Sequence, residues 1–258
     1  MLPRTERLLL GPGPSPVSAR VTAALGAPAR SHLDQDMMTL LDDIRARLAR
    51  VIQAPPGALA LAISGTGTSA MEAAVANLVE PGRRALAIVT GYFGDRLAHM
   101  LTRYGADVDT LSVEWGRAVD PADVERALGR AGYDVVTIVH GETSTGVRNP
   151  VEAIVPLAHA RGTLVIADMV TSLGAVPIDM AAWGVDVCYA CSQKGLGAPS
   201  GLSPIVFGPQ ALARRVPCRS FYLDVSLLSA FWIDRKYHHT ISAPLVYALH
   251  AALQEVEE

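Results

Sequence analysis

From residue 58 onward, short apolar runs alternate with stretches whose apolar residues recur at helical spacing. The strand-like runs are 58–63, 85–89, 108–113, 135–139, 163–167 and 187–190. Helical stretches near 69–79, 95–104, 121–130 and 151–161 separate them. An earlier helical stretch, 36–53, sets Met37, Leu40, Leu41, Ile44, Leu48 and Ile52 on one face. Several strand runs are apolar from end to end, so both of their faces must be buried. That requirement selects an α/β fold: a mostly parallel sheet with helices on both faces. The run 202–207 follows its predecessor too closely for a crossover helix, so it is expected to be the one antiparallel strand.

The pattern divides the chain into an extended arm over residues 1–20, a large α/β domain over 21–243, and a helix that begins at 244 and runs to 258. In the arm, Gly11-Pro12-Gly13-Pro14-Ser15-Pro16 opposes helix, because proline fixes φ and restricts the residue before it. A chain of 258 residues can bury a sizeable core. No apolar run approaches the roughly 20 residues that span a bilayer, and Leu8-Leu9-Leu10 is halted at once by Gly11-Pro12. A net charge of −3 with no basic tract argues against nucleic-acid binding. Cys188 and Cys191 lie in an apolar strand without a second ligand pair, and read as small core residues rather than a zinc or redox site. Such cysteine use suggests a reducing, cytoplasmic compartment.

In an open α/β sheet, ligands bind beyond the carboxyl ends of the strands. The polar exceptions in this chain cluster there: 64–68, 91–94, 140–143, Asp168 and 192–194. Ser64-Gly65-Thr66-Gly67-Thr68 leaves a strand and opens a helix. It suits either a phosphate, on the exposed N–H groups and the hydroxyls of Thr66 and Thr68, or a plain glycine turn capped by threonine. A dinucleotide site is disfavoured, since the next strand ends in Thr90-Gly91 rather than an acidic residue. Only two of the 22 basic residues are lysines, and one, Lys194, sits in Ser192-Gln193-Lys194-Gly195 behind a strand. It reads as a Schiff-base lysine or as a solvated surface group. Asp168 ends a buried strand, as a helix N-cap or as the partner of a cation. A protonated pyridine nitrogen is the cation that fits a lysine imine. Phe93 suits stacking on such a ring or packing in the core; His140 and Thr143 follow another strand, His140 also reading as a hydrogen-bonded buried histidine.

These segments occur with Glu72, Gly-Tyr-Phe-Gly-Asp-Arg, His-Gly-Glu-Thr-Ser-Thr-Gly, Ala-Asp-Met-Val-Thr-Ser-Leu-Gly, Ser-Gln-Lys-Gly-Leu-Gly-Ala-Pro-Ser-Gly and Tyr-His-His-Thr in one order. The chain thereby resembles the class V aminotransferases, in the alanine–glyoxylate and serine–pyruvate (serine–glyoxylate) branch, from Gly11 to its end. The resemblance implies fold type I, pyridoxal 5′-phosphate as cofactor, and transfer of an amino group from alanine or serine to glyoxylate or pyruvate. It implies Lys194 as the Schiff-base and proton-shuttling lysine and Asp168 as the partner of the pyridine nitrogen. Phe93 stands where the family usually stacks a tryptophan. Thr66, Gly67, Thr68 and Gln193 would surround the phosphate, and Thr143 the ring-hydroxyl edge. Tyr237 and Thr240 would reach the phosphate of a neighbouring subunit, making the protein a homodimer. The resemblance also implies a C-terminal small domain of about a hundred residues, absent from this sequence, with the arginine that clamps the substrate carboxylate. Rival readings are a truncated, non-catalytic cofactor-binding remnant and a fold-type I lyase such as a cysteine desulfurase.

Overall fold

The computed structural model describes residues 8–258. Helices α1 (Ala19–Leu25) and α2 (Gln35–Ile52) come first. Then β1 (Leu59–Gly65) leads into α3 (Gly67–Ala76), β2 (Arg84–Val89) into α4 (Tyr92–Arg103), and β3 (Asp107–Ser112) into α5 (Pro121–Leu128). Strand β4 (Val135–Val139) is followed by a hairpin of β5 (Gly141–Glu142) and β6 (Val147–Arg148). Next come α6 (Val151–His159), β7 (Leu164–Asp168), α7 (Met180–Trp183), β8 (Val187–Tyr189) and β9 (Gly201–Phe207). Helices α8 (Pro209–Ala213), α9 (Val225–Trp232) and α10 (Ala243–Glu257) follow.

Seven strands form one sheet in the order β1-β9-β8-β7-β4-β2-β3. Pairings β2–β3, β2–β4, β4–β7 and β7–β8 are parallel, while β9 runs antiparallel to both β8 and β1. This is the expected mixed sheet with its single reversed strand. It has a direct consequence for function: β1, β2, β4, β7 and β8 all end on one rim.

The end-to-end burial of β4 and β7 accounts for their unbroken apolar sequences, since helices cover the sheet on both sides. Helix α2 lays Met37, Leu41, Ile44, Leu48 and Ile52 against the sheet at 3- and 4-residue spacing and ends on Gln53 in a left-handed conformation. Helix α5 starts with Asp120 accepting from the Ala122 N–H at 2.8 Å and proline at the first helical position. Helix α10 buries Val246, Leu249 and Leu253 and is tied to α2 through His250–Asp43 at 2.6 Å and Arg50–Glu257 at 2.7 Å.

Four helices lie outside the sequence expectations: α1, α7, α8 and α9. Of these α9 matters most, because it buries Val225, Leu228, Phe231 and Trp232 and begins the segment that carries Tyr237. Asn77, at the end of α3, anchors it. The Asn77 amide donates to the carbonyls of Ala73 and Leu223, each at 2.8 Å, and its oxygen accepts from the Val225 N–H at 3.0 Å. Asn77→Ala leaves the Leu223 carbonyl and the Val225 N–H buried without partners, at about 1–3 kcal/mol each. Urea unfolding should show a loss of roughly 2–4 kcal/mol; a loss under about 1 kcal/mol would mean that the anchor is dispensable.

Candidate active site

Asp168 closes β7 and is 2% exposed. One carboxylate oxygen accepts from the Val170 N–H at 2.9 Å; the other accepts from the Tyr189 hydroxyl at 2.9 Å. Tyr189 lies opposite Asp168 in the β7–β8 register, so the sheet itself brings the two together. Both donors are neutral, and among the described residues no cation pairs with the carboxylate. Burial therefore dominates: the Asp168 carboxyl is pushed up to about 6, against the downward pull of its two hydrogen bonds. The Tyr189 hydroxyl is pushed well above its ordinary value by burial and the neighbouring carboxylate.

Lys194 follows β8 on a tight turn. Ser192 N–H donates to Leu202 at 3.0 Å, Gly197 N–H to Lys194 at 2.9 Å, and Ala198 N–H to Ser192 at 2.9 Å. The N-terminal arm crosses directly over it. Lys194 Nζ donates to the Pro12 carbonyl at 3.0 Å, and Ser15 N–H to the Gln193 carbonyl at 2.8 Å. Gly13 has φ +122°, a conformation that favours glycine, and it lies against the lysine stem.

The glycine turn opens α3 with Thr66 as N-cap, and its side chain makes no cap hydrogen bond. A Cβ on Gly67 would meet Val170 at 3.1 Å and Cys191 at 3.5 Å. That close approach draws the start of α3 against the segments after β7 and β8, which are those of Asp168 and Lys194. Thr66, Gly67, Thr68, Asp168 and the Lys194 turn are thus brought together. The buried Oε1 of Gln193 has no hydrogen-bond partner among the described residues.

Phe93 stands in the first turn of α4, which begins at Tyr92 rather than near residue 95 as the apolar spacing suggested. The reason is Glu142, 1% exposed, whose carboxylate accepts from the Phe93 and Gly94 N–H groups, each at 3.2 Å, and from the Ser144 hydroxyl at 2.7 Å. A carboxylate there satisfies the free donors of a helix start and favours its dipole. Thr143, next along, borders a cavity of 320 Å³ together with Pro12, His140, Thr171 and Ser172. His140 is fully buried, its N–H donating to the Asp168 carbonyl at 2.8 Å. Burial and nearby Arg148 push its ring down to about 4, so it is neutral near pH 7.

Tyr237 and Thr240 are not joined to this cluster within one chain. Tyr237 is 64% exposed and its hydroxyl lies 3.4 Å from the Thr240 hydroxyl. Between them His238 and His239 form a hydrogen-bonded relay. The Phe221 carbonyl, 3.1 Å from His238 Nε2, can only accept, so His238 Nε2 donates, and in the neutral ring His238 Nδ1 accepts. His239 Nδ1, 2.8 Å away, then donates, and its Nε2 accepts from the Ser64 hydroxyl at 2.8 Å. The relay thus pins the segment to the end of β1.

The sequence reading named neither Tyr189, Glu142 nor the relay as site-forming. A tyrosine inside an apolar strand and a glutamate three residues past another were the available signals. Among the described residues no group of three His, Cys, Asp or Glu side chains is arranged to hold a metal. Cys188 and Cys191 are buried free thiols. No described helix is long and apolar enough to cross a membrane.

The geometry suits one cofactor chemistry. A buried carboxylate with only neutral donors needs a cation, an amine stands on the next strand end, and a helix N-terminus lies beside both. Fold and cleft together define a fold-type I, pyridoxal-phosphate-dependent class of α/β protein. The chain belongs to the class-V aminotransferase family, whose model matches residues 18–258. It is 36% identical to the alanine–glyoxylate aminotransferase of Drosophila melanogaster over 257 residues, covering 96% of this chain and 65% of that protein. The rabbit (Oryctolagus cuniculus) enzyme of that name is 39% identical over 256 residues, again with 96% and 65% covered. The chain thus spans 65% of the length of these relatives. The crystal structure of an alanine–glyoxylate aminotransferase from Nostoc sp. superposes with a TM-score of 0.94 at 45% identity, covering 99% of this chain and 70% of that one.

The relay gives a pH prediction. Burial and His238 push the His239 ring down to about 4, whereas it titrates near 6.5 unfolded. The unfolded chain therefore binds the extra proton first. The stability from a neutral His239 is fully present above about pH 6.5 and is lost as pH falls toward 4. In His239→Gln the fall in urea midpoint over that window should be shallower; identical slopes would show that His239 does not titrate with folding.

Proposed function

We propose that this chain is a transaminase that moves the amino group of alanine or serine to glyoxylate or pyruvate. Family membership and the glyoxylate-dependent enzymes among its relatives support this substrate class. The observation that carries the reading is Asp168, a carboxylate 2% exposed, clamped by neutral donors on the rim that Lys194 shares.

When bound, pyridoxal phosphate supplies an electron sink for the pair left behind as the substrate loses its α proton. Asp168 would hold the proton on the ring nitrogen, and the Val170 N–H and Tyr189 hydroxyl keep Asp168 aimed. Lys194 Nζ would carry the cofactor. Once free, the same amine would act as the base that takes the proton from the substrate's α carbon. Thr66, Gly67, Thr68 and Gln193 hold the phosphate, Thr143 the hydroxyl edge of the ring, and Phe93 one face. A phenyl ring overlaps less than an indole would.

Tyr237 and Thr240 are exposed, and in this reading they complete the phosphate site of a second copy, so the working unit is a homodimer. The substrate carboxylate is met by an arginine from a C-terminal small domain, since a guanidinium fork matches a carboxylate. The thiols of Cys188, Cys191 and Cys218, all free, fit a cytoplasmic setting. A second reading has the same cofactor chemistry without turnover. Purified protein that binds the cofactor yet converts no alanine, serine or cysteine would select it.

Borohydride treatment after addition of pyridoxal phosphate should fix one label on Lys194, located by peptide mass spectrometry. A label on Lys236, or none, removes the mechanism. Asp168→Asn should keep the label and lower transamination by about 10²-fold or more, the scale for losing one charge-stabilising group. Undiminished turnover would show that the carboxylate is idle.

A further inference from the structure

Arg96 stands on α4 one turn beyond Phe93, at the spacing that folds a side chain back along its helix. Its guanidinium lies 5.1 Å from the ring centroids of both Tyr92 and Phe93, which meet edge to face at 5.4 Å. One nitrogen donates to the Thr68 hydroxyl at 3.0 Å and another reaches the Tyr92 hydroxyl at 3.4 Å. Thr68 belongs to the glycine turn at the start of α3. Arg96 forms no ion pair among the described residues, unlike Arg47, Arg83 and Arg84, which face carboxylates. Its charge still reaches into the cleft, where it pulls the Asp168 carboxyl downward.

A guanidinium has five donors, and among the described residues this one spends a single good hydrogen bond. Two aromatic faces fix its plane at a place where the cleft is otherwise acidic, with Asp168 and Glu142 both buried. The turn beside it offers backbone donors but no other cationic side chain within residues 64–70. We propose that Arg96 is a cofactor-binding residue that gives the 5′-phosphate of pyridoxal phosphate a charge-assisted hydrogen bond, held in place by Tyr92, Phe93 and Thr68. The inference rests on the transaminase reading above and deepens it. It assigns Phe93 two tasks, a face for the pyridine ring and a support for the phosphate's cation. It also gives Thr68 a positioning role toward Arg96.

Comparing pyridoxal phosphate with pyridoxal, which lacks the phosphate, isolates the contact. Dissociation constants are read from the yellow absorbance of the Lys194 adduct. Arg96→Gln should raise the constant for pyridoxal phosphate tenfold or more, about 1.4 kcal/mol, and change that for pyridoxal less than twofold. Added salt should weaken the phosphate form more in the wild type than in this variant. Arg96→Lys keeps the charge but loses the planar fork, so it should fall between the two. Should the glutamine variant not fold, the lysine variant alone decides: it must weaken the phosphate form at least threefold more than pyridoxal. Equal losses for both compounds, or none, overturn the assignment while leaving the transaminase reading intact. A wild-type chain that binds neither compound overturns both.

Discussion

A carboxylate sealed at the end of a central strand is the constraint on which the other features of this cleft depend. Among the described residues no cation pairs with Asp168; its donors are a backbone N–H and a tyrosine hydroxyl. Burial raises its carboxyl to about 6, so above that pH the folded chain holds a buried charge met by neutral donors. Because the folded form keeps its proton to higher pH than the unfolded chain, that cost grows as pH rises from about 4 through 6. A ligand that brings a positive nitrogen would remove the cost, and under the proposed function cofactor binding would then be coupled to the stability of β7 and β8.

Around this charge, the supports come from segments far apart in the chain. Glu142, on the hairpin after β4, caps α4 and so sets Phe93. Residues 12–15 of the arm meet the Lys194 turn. His239 ties the Tyr237 segment to the end of β1. Each support uses main-chain or buried side-chain hydrogen bonds, which gives the rim its fixed geometry.

Much of this architecture was legible in the sequence. Unbroken apolar runs gave away the parallel strands, and the short link before residue 202 gave away the reversed one. The polar exceptions of 64–68, Asp168 and 192–194 meet at one rim because parallel strands end together. Helix α9 was hidden, since seven of its residues are Val-Ser-Leu-Leu-Ser-Ala-Phe and its anchor, Asn77, lies 148 positions before Val225. The setting of Phe93 was hidden for the same reason: the carboxylate that makes 92–94 helical is on another strand's loop. Tertiary hydrogen bonds of this kind leave no periodicity to read.

The most direct test follows the Asp168 carboxyl itself, by isotope-edited infrared titration of the free and the cofactor-loaded chain. In the free chain it should titrate at about 6, and on addition of pyridoxal phosphate it should stay ionised well below that value. A carboxyl that titrates at the same pH in both states would contradict the pairing on which the account stands.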